Sequence, residues 1–338
     1  MQVAFTPMFA AIHVDRLMPR GDVLVHWVSS ATGALHTPWE ITMQKTRLRA
    51  VVAIVAAATI GLTTVPQAAY AASWSRTAKY ERWTGFNALE RGQGIANDGT
   101  YFYYSGPYSL VKATISNDHE VADNNFAIPA DLANNFKISH IGDIAYHDGL
   151  VVAPLEDGKN GYQNPLLALY DANNLKYTGR YVKLPLDTLP GGAPWVAVDA
   201  AAGLVWVAPW TQKVEDGTDR LIAYRLNDLL TAAPGATLEV DRTVKLSRPL
   251  SRIQGATMYN GELYASVDIT GDKSVYSINT VTGAVNWQFK QDVEPKDEVQ
   301  GITAVDLGPA GGQLHVLNVG SGIKSIFMYL QHYTVSGQ

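Results

Sequence analysis

The sequence predicts an all-β fold, a five-bladed β-propeller closed by pairing of its N- and C-terminal strands. Three observations predict it. A unit of two short strands joined by a turn recurs five times, and its spacing averages about fifty residues, the scale at which propeller blades repeat. Each unit is followed by segments that read as further strands, and four antiparallel strands make a blade. No stretch carries an amphipathic helical period long enough to support a parallel α/β sheet.

The chain has 338 residues, of which 47% are hydrophobic and 17% charged, a globular composition. Its formal net charge of −5 offers no basic field for nucleic acid or anionic lipid. It has no cysteine, so disulfides, zinc–thiolate clusters and thiol nucleophiles are excluded. Stability must then come from core packing and from closure of the ring.

A targeting segment begins at Met43. Lys45, Arg47 and Arg49 form a basic start, and Ala50–Leu62 is an apolar run too short for a comfortable membrane span. Ala69-Tyr70-Ala71 has the small-x-small form of a cleavage site. Residues 43–71 therefore read as a signal peptide, and residues 72–338 as the propeller. Residues 1–42 show no sustained period and read as an upstream extension from a start placed too early, with Met43 as the initiator. The expectation is a secreted monomer without a stable membrane anchor. Its partner would be an extracellular small molecule, glycan or peptide.

The five hairpins are "GQGIANDGTYFYYSG" from Gly92, "HIGDIAYHDGLVVAP" from His140 and "APWVAVDAAAGLVWVAP" from Ala193, then "IQGATMYNGELYASVD" from Ile253 and "VQGITAVDLGPAGGQLHVLNV" from Val299. Each joins two short apolar strands through a turn rich in Gly, Asn or Asp. Gly94, Gly142, Pro194, Gly255 and Gly301 occupy similar places in them. The fifth unit lacks an outer strand, because only "SIFMYLQHYTV" follows it. "AKYERWTGF" at Ala78–Phe86 can supply the missing strand and remove a free edge.

The segments "QGIANDG", "RIQGATMYNGELYASVD" and "VQGITAVD" resemble secreted bacterial propellers with a QG-hairpin repeat. They are similar to the glutamine cyclotransferase-like propellers, and the resemblance implies the propeller fold.

In a propeller the innermost strand of each blade lines a central channel. Residues that precede these strands should converge on one mouth. They are Gln93, His140 with Asp143, Trp195, Arg252 with Gln254, and Gln300. His140 reads as a general base, Asp143 as its orienter and Arg252 as the stabiliser of a developing negative charge. Gln93, Trp195, Trp210, Gln254 and Gln300 read as substrate-binding residues. Glu156 and Asp157 follow the second strand of their unit and could hold Ca²⁺ through carboxylate oxygens. Asp219, Asp268 and Asp272, with Glu215 and Asp216, add acids to the same rim, whereas His147 and Asp148 fall in a hairpin turn. Two functions use this mouth equally well: a hydrolase or lyase, and a glycan- or peptide-binding propeller without turnover.

Overall fold

Chain order and sheet order coincide. The first strand, β1 (Ser73–Thr84), is followed by four consecutive strands, β2 (Gly94–Asn97), β3 (Tyr101–Ser105), β4 (Leu110–Thr114) and β5 (Glu120–Asn124), which form the first blade. The second blade contains β6 (His140–Ile141), β7 (Ala145–His147), β8 (Leu150–Glu156), β9 (Leu166–Asp171) and β10 (Tyr177–Lys183). The third contains β11 (Ala197–Asp199), β12 (Leu204–Val207), β13 (Thr218–Arg225) and β14 (Arg242–Leu250). The fourth contains β15 (Ile253–Tyr259), β16 (Glu262–Ile269), β17 (Asp272–Ile278) and β18 (Val285–Lys290). The fifth contains β19 (Glu298–Ala304), β20 (Leu314–Val319) and β21 (Phe327–Ser336), with β1 as its outer strand. This is a five-bladed β-propeller in a computed structural model that describes residues 73–211, 217–321 and 326–336. The signal-peptide and start-site expectations lie outside the described residues. No helix among the described residues is long and apolar enough to cross a membrane.

The hairpin turns follow from their residues. Asp148-Gly149 and Asn260-Gly261 each place two successive residues at positive φ (43° and 78°, 48° and 80°). That geometry matches the right-handed twist of the strands it joins. In the second and fourth blades these turns let the inner strand pair at once with the next.

The central strands read as nearly continuous apolar runs because each blade is covered on both faces. Alternate side chains go to opposite faces of a strand. On β3, Tyr103 packs into the core against the second blade, while Phe102 and Tyr104 pack into the core against the fifth. On β8, Val151 and Ala153 face the first blade and Val152 faces the third. The cores lie between neighbouring blades: first and second, second and third, third and fourth, fourth and fifth, fifth and first.

Closure uses β1 as the sequence predicts, although the strand is longer and lies earlier than Ala78–Phe86. It pairs antiparallel with β21 from Ser73↔Ser336 to Thr84↔Phe327. Gly85, at φ 62°, ends it, and Phe86 opens a short helical turn, Phe86–Leu89. Trp74 and Trp83 are an odd number of residues apart and so face opposite sides of the strand. Trp74 packs among Tyr259, Tyr264 and Phe289 of the fourth blade. Trp83 packs on Tyr104 of the first blade, and its indole N–H donates to Asp118 at 2.5 Å. One terminal strand thus fills two of the cores.

Candidate functional site at the channel mouth

The axis is built around Asp143, which is 1% exposed. Its Oδ1 accepts the backbone N–H of Ile95 at 2.8 Å, and its Oδ2 accepts that of Ala256 at 3.1 Å and of Ile302 at 3.5 Å. Three glycines make room for it. A Cβ at Gly94 would lie 2.5 Å from the Asp143 Cα, and Cβ atoms at Gly255 and Gly301 would lie 2.4 and 2.3 Å from its carboxylate oxygens. Asp143 also forms a parallel bridge with Trp195. Burial pushes its carboxyl well above the usual carboxylate range, against the pull of the N–H groups of Ile95, Ile302, Ala256 and Ile144.

These contacts fix the register between blades and correct the one expected from sequence. Asp143 stands in the row of Gly94, Trp195, Gly255 and Gly301. Gln93, Gln254 and Gln300 therefore align with Gly142 and Pro194. His140 lies two residues further upstream, in the row of Arg91, Gly192, Arg252 and Glu298. Aligning Gly142 with the other glycines places the second blade one residue out. The chain spends Gly142 on close approach to the Pro194 carbonyl and gives the axial position to an acid. Gly142 and Asp143 also interrupt the inner strand of this blade, dividing it into β6 and β7.

The carboxylate plugs the channel. Beyond it lies a cavity of about 160 Å³ lined by residues including Asn97, Tyr146, Thr257, Met258 and Thr303. On the near side lies a mouth of about 400 Å³, lined by residues including Gln93, His140, Glu156, Arg252, Gln254 and Gln300. Tyr108, Ser139, Lys159, Tyr162, Trp210 and Glu298 complete its wall. The mouth is a blind, polar cup with aromatic sides.

Asp143 does not orient His140, because its carboxylate is taken by backbone N–H groups. Glu156 does so instead. Strand pairing sets His140 opposite Glu156, and His140 Nδ1 lies 3.2 Å from Glu156 Oε2. His140 Nε2 lies 2.7 Å from Gln93 Oε1, while Gln93 Nε2 donates to the Gly92 carbonyl at 2.9 Å. That last bond fixes which end of the amide faces the ring. An amide oxygen only accepts, so His140 Nε2 carries a hydrogen. The other Glu156 oxygen, Oε1, is buried and has no hydrogen-bond partner.

Arg252 faces the mouth in a left-handed backbone conformation, φ 50°. Its Nε donates to the Asp268 carbonyl at 2.7 Å, and its Nη2 to Asp268 Oδ2 at 2.7 Å and Glu298 Oε1 at 3.2 Å. Its guanidinium also lies over the Trp210 ring, 5.6 Å from the centroid. Asp268 is buried and is paired in addition with Lys273. The positive charge of Arg252 is therefore largely met within the protein. Gln254 Nε2 donates to Glu298 Oε1 at 2.9 Å.

Other expected residues lie elsewhere. Trp195 has no exposed surface and packs in the core between the third and fourth blades, so it is not a substrate wall. Asp157 is fully buried and accepts hydrogen bonds from Asn160 and from the side chain and backbone of Asn164. It shapes its own loop and does not join Glu156 in a calcium site. Among the described residues no group of three or more His, Asp or Glu is placed to hold a metal ion. Asp219 pairs with Arg220 in solvent, and Asp272 accepts from Ser274 and Tyr276. Glu215 and Asp216 lie outside the described residues.

Glu298 escaped the sequence reading. The signal was present, because it precedes Gln300 by two residues as Arg252 precedes Gln254. About half of its side chain is exposed, so the push on its carboxyl above the usual range comes from partial desolvation and the neighbouring Asp268, while Arg252, Lys273 and Gln254 pull it back.

Fold and site define a class: a five-bladed propeller with a plugged channel and one open polar mouth. Comparison with known proteins adds no family, since no family model and no curated protein matches the chain. Among solved structures, the chain is similar to Sqt1 of Saccharomyces cerevisiae at 11% identity and a TM-score of 0.34, covering 78% of this chain and 60% of that one. A chain of a nidogen/laminin complex is similar at 12% identity and a TM-score of 0.42, covering 79% and 98% respectively. A computationally designed protein, Ika4, is similar at 10% identity and a TM-score of 0.31, covering 55% and 89%. The propeller assignment rests on the strand pairing of this chain itself.

Proposed function

We propose that the chain is an exported hydrolase or lyase that works on an extracellular substrate at the channel mouth. The observation that carries this reading is the His140–Glu156 pair, set on facing strands at the wall of an open cup. A carboxylate on one ring nitrogen orients an imidazole and lets it take or give a proton at the other. In this protein the other nitrogen rests on the Gln93 carbonyl, which a substrate group can displace. Arg252 and Lys159 stand at the same wall as cations. The likeness to glutamine cyclotransferase-like propellers bears on fold alone, and the reaction is read from the mouth.

A second reading is a glycan- or peptide-binding propeller. It is favoured by the pairing already complete in the cup: both ring nitrogens of His140 and the inner donors of Arg252 have partners, as in a preformed binding surface.

The test uses protein recovered from culture medium, whose chain should begin within a few residues of Ala72. Wild type and His140→Gln are assayed on a panel of polysaccharides, peptides and esters. Loss of a positioned acid–base group costs about 10²–10⁴ in rate, so the variant should lose that much at unchanged melting temperature. Full activity in His140→Gln would remove the dyad from the chemistry. Wild-type binding of a panel member without any turnover would select the binding module.

A further inference from the structure

We propose that the mouth receives the C-terminal end of a polypeptide, with the terminal carboxylate on Arg252 and Lys159 at one wall and the apolar side chains before it on a strip of Phe86, Leu89, Tyr108 and Phe126 beside the other. This rests on the reading of the mouth as the place where the ligand sits and goes beyond it in naming the ligand. It does not depend on turnover.

The strip is the first argument. Phe86 is 81% exposed, Leu89 56%, Tyr108 51% and Phe126 91%. Strands β1, β3 and β5 run towards the mouth face, so the residues that follow them lie on it. Phe86 and Leu89, three residues apart on one helical turn, share a side. The loop after β3 joins them to Phe126: the Ser109 hydroxyl donates to the Glu90 carbonyl at 3.3 Å, and the Ala127 N–H to the Tyr108 carbonyl at 2.8 Å. The Ile141 N–H donates to the Pro107 carbonyl at 3.0 Å, which ties the same loop to the strand of His140. Tyr108 lines the cup itself. Single exposed apolar side chains are ordinary, but a contiguous run that ends in a ligand cup marks a surface for a partner.

Unspent positive charge in the cup is the second. Arg252 uses Nε and Nη2 on Asp268 and Glu298, which leaves Nη1 free. Lys159 is exposed on the same lining, and its side chain has no ion pair or hydrogen bond among the described residues. Two such donors suit a carboxylate, whose oxygens accept several N–H groups at once. The blades follow chain order round the ring, so the junction of the third and fourth faces the first. Arg252 stands at the entry of the fourth blade and lies over Trp210 of the third. A chain that comes in over the strip therefore points its end at Arg252.

A polypeptide has both parts that these features fit. Its C-terminal carboxyl is ionised near neutral pH, and the residues before it carry apolar side chains for Phe86, Leu89 and Phe126. A sugar chain has no such side chain to lay on Leu89. The ground beside the strip is acidic, which suits Lys or Arg in the ligand and opposes anionic lipid. Asp123 is exposed there, and the Glu90 carboxyl is raised by partial burial and by the charges of Glu120 and Asp123, against the pull of Arg91. A membrane or a second copy lying on the strip would leave the cup and its cations empty.

Binding makes and breaks no covalent bond. The terminal carboxylate exchanges water for Arg252 Nη1 and Lys159 Nζ, and the last peptide groups meet Gln300 and Ser139 on the lining. Each apolar residue laid on the strip then adds to the affinity.

The experiment measures fluorescence anisotropy with synthetic decapeptides of Leu, Phe and Lys, labelled with fluorescein at the N-terminus, as free acids and as C-terminal amides. The free acid should bind about tenfold more tightly than the amide, or better. Lys159→Gln, at an exposed and unpaired side chain, should lose several-fold on the free acid and nothing on the amide. Phe86→Ser combined with Phe126→Ser should weaken both forms by about tenfold at an unchanged melting temperature. Equal affinity for acid and amide would overturn the proposal, as would unchanged affinity in the double Phe variant. Self-association in sedimentation velocity, or flotation with phosphatidylcholine vesicles, that the double Phe variant abolishes would assign the strip to a second copy or to a membrane and overturn it too. Binding of galacturonic acid oligosaccharides or cello-oligosaccharides, and of no peptide, would overturn it while leaving the mouth a ligand site. Binding of neither peptides nor oligosaccharides would overturn the reading on which it rests.

Discussion

Asp143 takes hydrogen bonds from inner strands of the first, fourth and fifth blades while its own backbone pairs with the third. One residue, through side chain and backbone together, therefore ties every blade to the axis, and it also forms the floor of the mouth. A short acid suits this place, because its two oxygens accept several N–H groups at once and three glycines leave the volume free. Replacing it by alanine would strand at least two buried donors. Each costs about 1–3 kcal/mol, so Asp143→Ala should destabilise by on the order of 3 kcal/mol or more, read from urea denaturation. A loss below about 1 kcal/mol, against that same scale, would mean that water replaces the carboxylate without penalty. The sequence showed Asp143 as a candidate site residue but not as an axle. The aspartate beside His140 resembles a catalytic pair in one dimension. Only the backbone N–H groups of distant blades, invisible as residue types, show where its oxygens point.

The closing seam between β1, β20 and β21 carries a buried chain of titratable groups. His315 Nε2 meets the Val305 carbonyl at 2.9 Å and must donate to it, so its Nδ1 accepts from His332 Nδ1 at 2.5 Å. His332 Nε2 then donates to Glu81 on the N-terminal strand at 2.5 Å. Lys79 on β1 lies beside Glu81, and Asp118 of the first blade is the next acid. Burial, with the charge of His332, pulls His315 down to about 3. Burial pushes Glu81 up, but the hydrogen bond and charge of His332 outweigh it and hold the carboxyl below the usual range. Both shifts have the same sign for stability. The unfolded chain binds a proton at histidine near pH 6.5, which the folded His315 refuses until about 3. Stability is thus full above about pH 6.5 and falls as the pH drops towards 3, at roughly 1.4 kcal/mol per unit from this one residue. Glu81 adds to the fall in the lower part of that range. His315→Gln keeps a donor for Val305 and an acceptor for His332 without a titratable ring. Its urea midpoint should fall less than that of wild type between pH 6 and pH 4, and parallel curves would exclude His315 as the cause. The strands of this seam were legible as apolar runs, whereas the chain of histidines was not, because 17 and 251 residues separate its partners along the sequence.

At the scale of the whole molecule, ring closure is the property most exposed to a single cut. β1 supplies the outer strand of the fifth blade and sends Trp74 and Trp83 into two separate cores. A chain starting after Phe86 should lose several kcal/mol, since deleting a packed strand also bares an edge. Differential scanning calorimetry reads this directly, and an unchanged melting temperature would show that the ring closes without β1. The amino-acid sequence by itself determined the blade count, the four-strand unit and the strand that closes the ring. Those depend on local signals, turn residues and apolar runs, repeated often enough to be counted. It also marked Gln93, His140, Arg252, Gln254 and Gln300 of the mouth's lining, because a ring fold brings neighbouring positions of every repeat to one place. The tertiary structure alone decided the rest: that Asp143 is structural, that Glu156 is the partner of His140, that Trp195 is core and that Glu298 belongs to the cup. These turn on register between blades, where a shift of one residue sends a side chain to the other face of its strand, and that register is held by contacts between residues far apart in the chain.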